Sequence, residues 1–203
     1  MHDLTAEEIR VLGSLLEKQR TTPDTYPLTL NGLRAACNQS TNRDPVVDYD
    51  ESTIRDALHG LGRRRFTRLA SGHGSRAAKY RHLLEETLQL NPQEQAVLAV
   101  MMLRGPQTPG ELLQRTERLY HFPDSAALHQ VIERLREREL VARYDRRPGQ
   151  REDRYGQLLG ATAEEPAVPL PATDGREDRL DRLERELAEL RAEVRALREE
   201  IEA

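Results

Sequence analysis

A single cysteine, no tryptophan and only two phenylalanines among 203 residues narrow the chemistry before any motif is sought. Cys37 has no partner for an internal disulfide and no companions for a zinc or iron-sulfur cluster, so redox and Cys-ligated metal chemistry drop out. Long apolar runs are missing too: none approaches the roughly 18 residues of a membrane span. The N-terminus has no basic segment leading into an apolar one, and the expectation is a cytoplasmic protein that does not contact a membrane. Aromatic residues make up 4% and apolar residues 37%, against 33% charged and a mean hydropathy of -0.76. Those proportions disfavour one large buried sheet and leave small compact parts with much solvated helix or tail.

Catalytic constellations are equally scarce. His121 and His129 flank a helix start, and His73 and His82 straddle a hairpin, so neither pair has the i, i+4 spacing with a third acid that a helical zinc site requires. The glycine-dense turn Gly72-His73-Gly74 lacks the following Lys-Ser/Thr of a phosphate-binding loop. No nucleophile stands beside a base. The expectation is a non-enzymatic protein with no cofactor and no metal.

What the chain does contain is a repeat. Leu4-Thr5-Ala6-Glu7-Glu8 matches Leu90-Asn91-Pro92-Gln93-Glu94, and Val11-Leu12 falls on Val97-Leu98. Further on, Ile54, Leu58 and Leu61 fall on Leu128, Ile132 and Leu135, and Arg76, Tyr80, Leu83 and Leu84 fall on Arg151, Tyr155, Leu158 and Leu159. The order is the same in both halves, which fixes architecture more firmly than propensity does. The first copy is longer by the connection TTPDTYP and the stretch CNQSTNRDPVVDYD, insertions that surface loops tolerate.

Each copy reads as three helices and a two-stranded hairpin. Thr5 with Glu8, Asn91 with Glu94 and Thr108 with Glu111 place a capping side chain three residues before an acid that returns the hydrogen bond, and Pro92 and Pro109 sit where a missing N–H costs nothing. After the third helix, FTRLASGHGSRAAKYRHLL and LVARYDRRPGQREDRYGQLL each hold two strand-like runs around a basic, Gly-containing tip. Helix, helix, helix, hairpin is the order of a winged helix. The sequence therefore predicts a mainly α protein with small β-hairpins (α+β): one winged-helix domain over residues 1–86 and a second over 87–160.

Beyond them, ATAEEPAVPLPATDGR at 161–176 reads as a semi-extended linker. Leu180, Leu183, Leu187, Leu190, Val194, Leu197 and Ile201 then follow the alternating 3, 4 spacing of a coiled coil, so residues 177–203 predict a helix that makes a homodimer. Charge divides along the same boundaries. Residues 1–84 hold 13 Lys and Arg against 10 Asp and Glu, 85–160 hold 11 against 12, and 161–203 hold 7 against 13. An acidic tail masks a mildly basic body, and the net charge of -4 does not exclude a nucleic-acid partner.

Four stretches carry a family resemblance: TTPDTYPLTLNGLRAACNQSTNRDPV at 21–46, GSRAAKY at 74–80, LRGPQTPGEL at 103–112 and PGQREDRY at 148–155. In that order they resemble the YceH family of bacterial proteins over roughly residues 4–160. The resemblance implies a tandem pair of winged helices and brings no established reaction with it. This chain departs from the pattern at Thr41, where serine is expected, and in a shortened turn after the third helix of the second copy.

The third helix of a winged helix enters the major groove and the wing touches the flanking backbone. In the first copy the apolar positions leave Ser52, Arg55, His59 and Arg63 outside, with Arg63-Arg64-Arg65 at the end. The wings add Arg76 and Lys79 in one copy and Arg146, Arg147 and Arg151 in the other. Arg55, His59, Arg63, Arg76, Lys79, Arg146, Arg147 and Arg151 are thus the candidate DNA contacts. The second copy's third helix offers Glu133, Arg134, Glu137 and Arg138, a mixed-sign, salt-bridged face. Tyr80 and Tyr155 read as packing residues, Cys37 as a small core residue, and Asn38, Gln39, Thr41, Asn42, Arg43 and Asp44 as a loop stitched to its own backbone. Two functions fit: a dimeric DNA-binding or transcription-regulating protein, and a structural module that binds another protein without touching DNA.

Overall fold

The computed structural model describes residues 3–70, 77–146 and 152–160, all within one compact unit. They form a mixed α/β structure. The first half runs α1 (Ala6–Thr21), a 3-10 turn (Pro23–Thr25), β1 (Leu28–Thr29), α2 (Leu30–Cys37), α3 (Glu51–Arg63), β2 (Thr67–Leu69), β3 (Lys79–His82) and α4 (Leu84–Thr87). The second runs α5 (Pro92–Arg104), α6 (Pro109–Thr116), α7 (Ser125–Glu137), β4 (Val141–Tyr144) and β5 (Arg154–Gln157). Among the described residues no helix is long and apolar enough to cross a membrane. The linker at 161–176 and the heptad residues Leu180, Leu183, Leu187, Leu190, Val194, Leu197 and Ile201 lie outside the described residues.

All three expected capping boxes form. The Thr5 hydroxyl accepts from the Glu8 N–H at 3.2 Å while the Glu8 carboxylate accepts from the Thr5 N–H at 3.0 Å, and Asn91 with Glu94 and Thr108 with Glu111 repeat the exchange. Each box satisfies two of the backbone donors that a helix start leaves open. Asp50 and Asp124 cap α3 and α7 with their side chains, each accepting from the N–H three residues on.

The repeat extends to the backbone. Arg65 after α3 and Glu139 after α7 both adopt left-handed φ, at 60° and 54°. The next N–H in each copy closes the turn, Phe66 onto the Leu61 carbonyl and Leu140 onto the Leu135 carbonyl, both at 2.9 Å. Thr67 then pairs with His82 and Leu69 with Tyr80, just as Val141 pairs with Gln157 and Arg143 with Tyr155. An added backbone pairing, not expected from the sequence, flanks each hairpin. β1 adds to β3, giving sheet order β1-β3-β2; at the matching place in the second half Gln107 bridges to Tyr155. Both are one or two residues long, too short to carry a hydropathy pattern.

One hydrophobic cluster joins the two halves. Ile54, Leu58 and Leu61 and their counterparts Leu128, Ile132 and Leu135 are all buried in it, with Tyr80 and Tyr155 packed against it. Helix α1 lies against α5, and Gly13 allows the approach: a Cβ there would stand 2.8 Å from the Met102 Cβ and 3.1 Å from the Leu103 side chain. Helix α3 crosses α1 at Gly60, where any side chain would overlap the Glu8 carboxylate. Leu4 closes the unit by donating its N–H to the Leu159 carbonyl at 3.0 Å.

Candidate nucleic-acid interface

Helix α3 buries Ile54, Ala57, Leu58, Gly60 and Leu61, which turns the opposite stripe outward. Arg55, His59 and Arg63 are exposed with Ser52, as are Arg64, Arg65 and Arg68 beyond the helix end. Arg55 makes one loose i, i+4 contact with Glu51 at 4.0 Å, both side chains more than half exposed, an interaction too weak to hold the guanidinium back. The left-handed turn at Arg65 folds the chain from the helix into β2, so one short corner carries a dense row of cations.

The strands extend that row. Arg68 on β2 stands directly opposite Arg81 on β3, and Thr29 opposite Lys79. Strand alternation sends Thr67 and His82 to the core, where both are buried, and sets Arg68 and Arg81 on the other face. Two like charges directly across a ladder disfavour the sheet, and Glu86, 2.7 Å from Arg81, relieves that repulsion. Arg68 went unnoticed in the sequence because its side of the sheet depends on register.

Among the remaining candidates, Arg146 is exposed just past β4, while Arg76, Arg147 and Arg151 lie outside the described residues. In the second half several arginines are paired with acids at the surface. Arg136 pairs with Glu133 through two contacts of 2.8 and 2.7 Å. Arg138 reaches Glu94 at 3.3 Å and Arg134 approaches the same carboxylate at 4.0 Å. Arg143 meets Asp153 at 3.2 Å. The mixed-sign reading of this helix matches what its side chains do.

The polar run between α2 and α3 is stitched to its own backbone. Asn38 donates to the Tyr49 carbonyl at 2.8 Å and accepts from the Tyr49 N–H at 2.9 Å. Arg43 is buried, gripping Glu17 and the Ala36 carbonyl, and Arg10 donates to the Cys37 and Pro45 carbonyls at 3.2 and 2.5 Å. These two buried arginines could not be told from surface ones by sequence, since their partners are distant along the chain. Cys37 is sealed from solvent, and burial pushes its thiol up to about 11, which makes it inert. Among the described residues no three His, Cys, Asp or Glu side chains gather as a metal site would need.

A family model described as "Protein of unknown function, DUF480" matches residues 4–150. The chain belongs to this family, UPF0502/DUF480. Its UPF0502 relatives include a protein of Geotalea daltonii, 50% identical over 83% of this chain and 78% of that one. A second, from Pelobacter propionicus, is 46% identical over 96% of this chain and 93% of its own length. The UPF0502 protein YceH of Salmonella arizonae is 42% identical over 97% of this chain and 96% of that one. The UPF0502 relatives thus include the YceH proteins that the four sequence stretches resemble.

Proposed function

We propose that this UPF0502 protein is a tandem winged-helix protein that binds double-stranded DNA as a homodimer and serves in transcription regulation, with no catalytic step. Residues 1–86 and 87–160 are the two winged helices in this reading, and residues 177–203 the coiled coil that joins two chains. The observation that carries it is the exposed basic corner from Arg63 to Arg68, continuous with the outward stripe of α3. Arg55 and Arg63 are eight residues apart, about 12 Å along a helix and about the width of a major groove. The element order α1-β1-α2-α3-β2-β3 with sheet order β1-β3-β2 also fits the winged-helix arrangement.

The contacts in this proposal are mostly to phosphate, because arginine rows without paired amides position a protein on DNA better than they read bases. Fluorescence anisotropy with labelled mixed-sequence duplex at low and moderate salt tests it. Wild type binds, and replacing Arg63 and Arg68 by Glu abolishes binding while the thermal midpoint holds. Absence of binding at low salt defeats the proposal.

A second reading has its own support. Arg136 and Arg138, at the end of α7, are paired with Glu133 and Glu94, and Val46 and Leu69 are large apolar side chains left 58% and 61% exposed. Those features favour a module that binds another protein, and failure of the DNA experiment selects it.

A further inference from the structure

A small cleft opens where the two halves meet, far in sequence from the basic corner. Glu17 of α1 and Asn42 of the stitched loop form one side; Val100, Leu103 and Arg104 of α5, Arg115 of α6 and Arg118 and Leu119 of the following turn form the other. Two of the family-like stretches, 21–46 and 103–112, converge on it. The Asp44 N–H donates to the Leu103 carbonyl at 2.9 Å and Arg104 donates to the Asn42 side chain at 2.9 Å, which holds the loop against the end of α5.

Charge in the cleft is one-sided. Three arginines face one glutamate, and Glu17 is already taken by Arg43 at 2.7 Å and Lys18 at 3.3 Å. Glu111 offsets Arg115, at 3.2 Å. Burial and then the nearby Arg115 charge lower the proton affinity of Arg104, while Asp44 and Glu111 act the other way. A guanidinium stays protonated regardless, so an anion at the mouth of the cleft is attracted by each of them. The recess of the cleft is about 20 Å3, room for little more than a single water. The cleft is open to solvent, so an oxyanion is met at its mouth with the rest of the ligand outside.

We propose that this cleft binds a phosphate monoester borne by a small molecule, its oxygens held by Arg104, Arg115 and Arg118 over the apolar floor of Val100, Leu103 and Leu119. Three guanidinium forks suit a dianion with three acceptor oxygens better than a carboxylate with two. Because the walls come from both halves, occupancy ties α1 and its loop to α5 and α6, and the ligand acts as an effector of the junction. The site stands independently of DNA binding.

The full chain is titrated at pH 7.5 and constant ionic strength with methyl phosphate, inorganic phosphate, acetate or chloride, reading the thermal midpoint and the heat of binding. Both phosphates raise the midpoint saturably, and acetate and chloride do not. Arg118→Gln, at an exposed position, raises the half-saturating phosphate concentration about tenfold, the loss of one charge-assisted hydrogen bond. Arg104→Gln, which retains a donor for Asn42, does the same. An equal phosphate effect in wild type and both variants is general salting-out and overturns the proposal, as does an equal response to acetate. A parallel loss of duplex affinity in Arg118→Gln also overturns it, by assigning the cleft to the DNA face.

Discussion

Arg43 and Glu17 meet as a two-point pair, Nη1 to Oε1 at 3.2 Å and Nη2 to Oε2 at 2.7 Å, with the Arg43 side chain fully sealed from solvent. Burial alone would raise the Glu17 carboxyl, but the Arg43 hydrogen bonds and charge outweigh it and hold it below its usual value. Arg43→Ala leaves that carboxylate buried with Lys18 as its remaining direct ion-pair partner, and the expected loss of stability is about 3–5 kcal/mol. Denaturant unfolding checks it. The double replacement Arg43→Met with Glu17→Met recovers most of the loss, because it removes the stranded charge together with the pair.

His82 supplies the pH dependence. Its Nδ1 accepts from the Leu84 N–H at 3.3 Å and its Nε2 lies 2.6 Å from the Gln19 side-chain oxygen, an arrangement for the neutral ring. Burial drives its pKa down to about 4. The folded value lies below the unfolded one near 6.5, so the contribution is complete above about 6.5 and is lost as pH falls from there towards 4. The integrated loss is about 3 kcal/mol. Thermal melts across that range show the slope in wild type, and His82→Gln removes it while the carboxylate-driven loss at lower pH stays.

At the crossing of α1 and α5, Gly13→Val drives methyl groups into Met102 and Leu103. A loss of about 1–3 kcal/mol follows from overpacking a filled contact. The adjacent Leu12→Ala, which empties space instead, costs about 2–5 kcal/mol. Comparing the two melts distinguishes strain from a cavity: compensating Met102→Gly, which removes the Cβ in the way, recovers part of the Gly13→Val loss and none of the Leu12→Ala loss.

The proposed DNA contacts predict a salt signature. Replacing Arg146 and Arg147 by Ala weakens binding to all duplexes alike, and the slope of log affinity against log salt flattens by about 0.9 for every phosphate the protein no longer neutralises. An unchanged slope places the second copy's hairpin away from DNA.

The proposed dimer makes the last prediction. With Leu180 at a heptad a position, Arg179 faces Glu184, Glu186 faces Arg191 and Glu193 faces Arg198 in a parallel pair, all attractive. Sedimentation at micromolar concentrations shows a dimer for the full chain and a monomer for a chain ending at Arg176. Equal masses defeat it.

Local chemistry made much of this fold legible. Thr5, Asn91 and Thr108 announce their helices because a cap and its returning acid are three residues apart, and Ile54, Leu58 and Leu61 announce the buried side of α3 through helical spacing. Contacts decided across the chain stayed hidden. Arg43 looks like any loop arginine until Glu17, on another helix, is brought to it, and Arg68 acquires a face only when β2 takes its register against β3. The cleft of Arg104, Arg115 and Arg118 was invisible for the same reason: three elements must pack before those charges share one space.

The Gly13 crossing also sets a timetable for synthesis. The surface of α1 that rests on Met102 and Leu103 is translated some ninety residues before its cover emerges, and Leu4 waits until Leu159 has left the ribosome. A nascent chain halted between the two repeats therefore displays an unroofed apolar strip of α1, and the interval before α5 arrives is when the protein is most exposed to aggregation and chaperone capture.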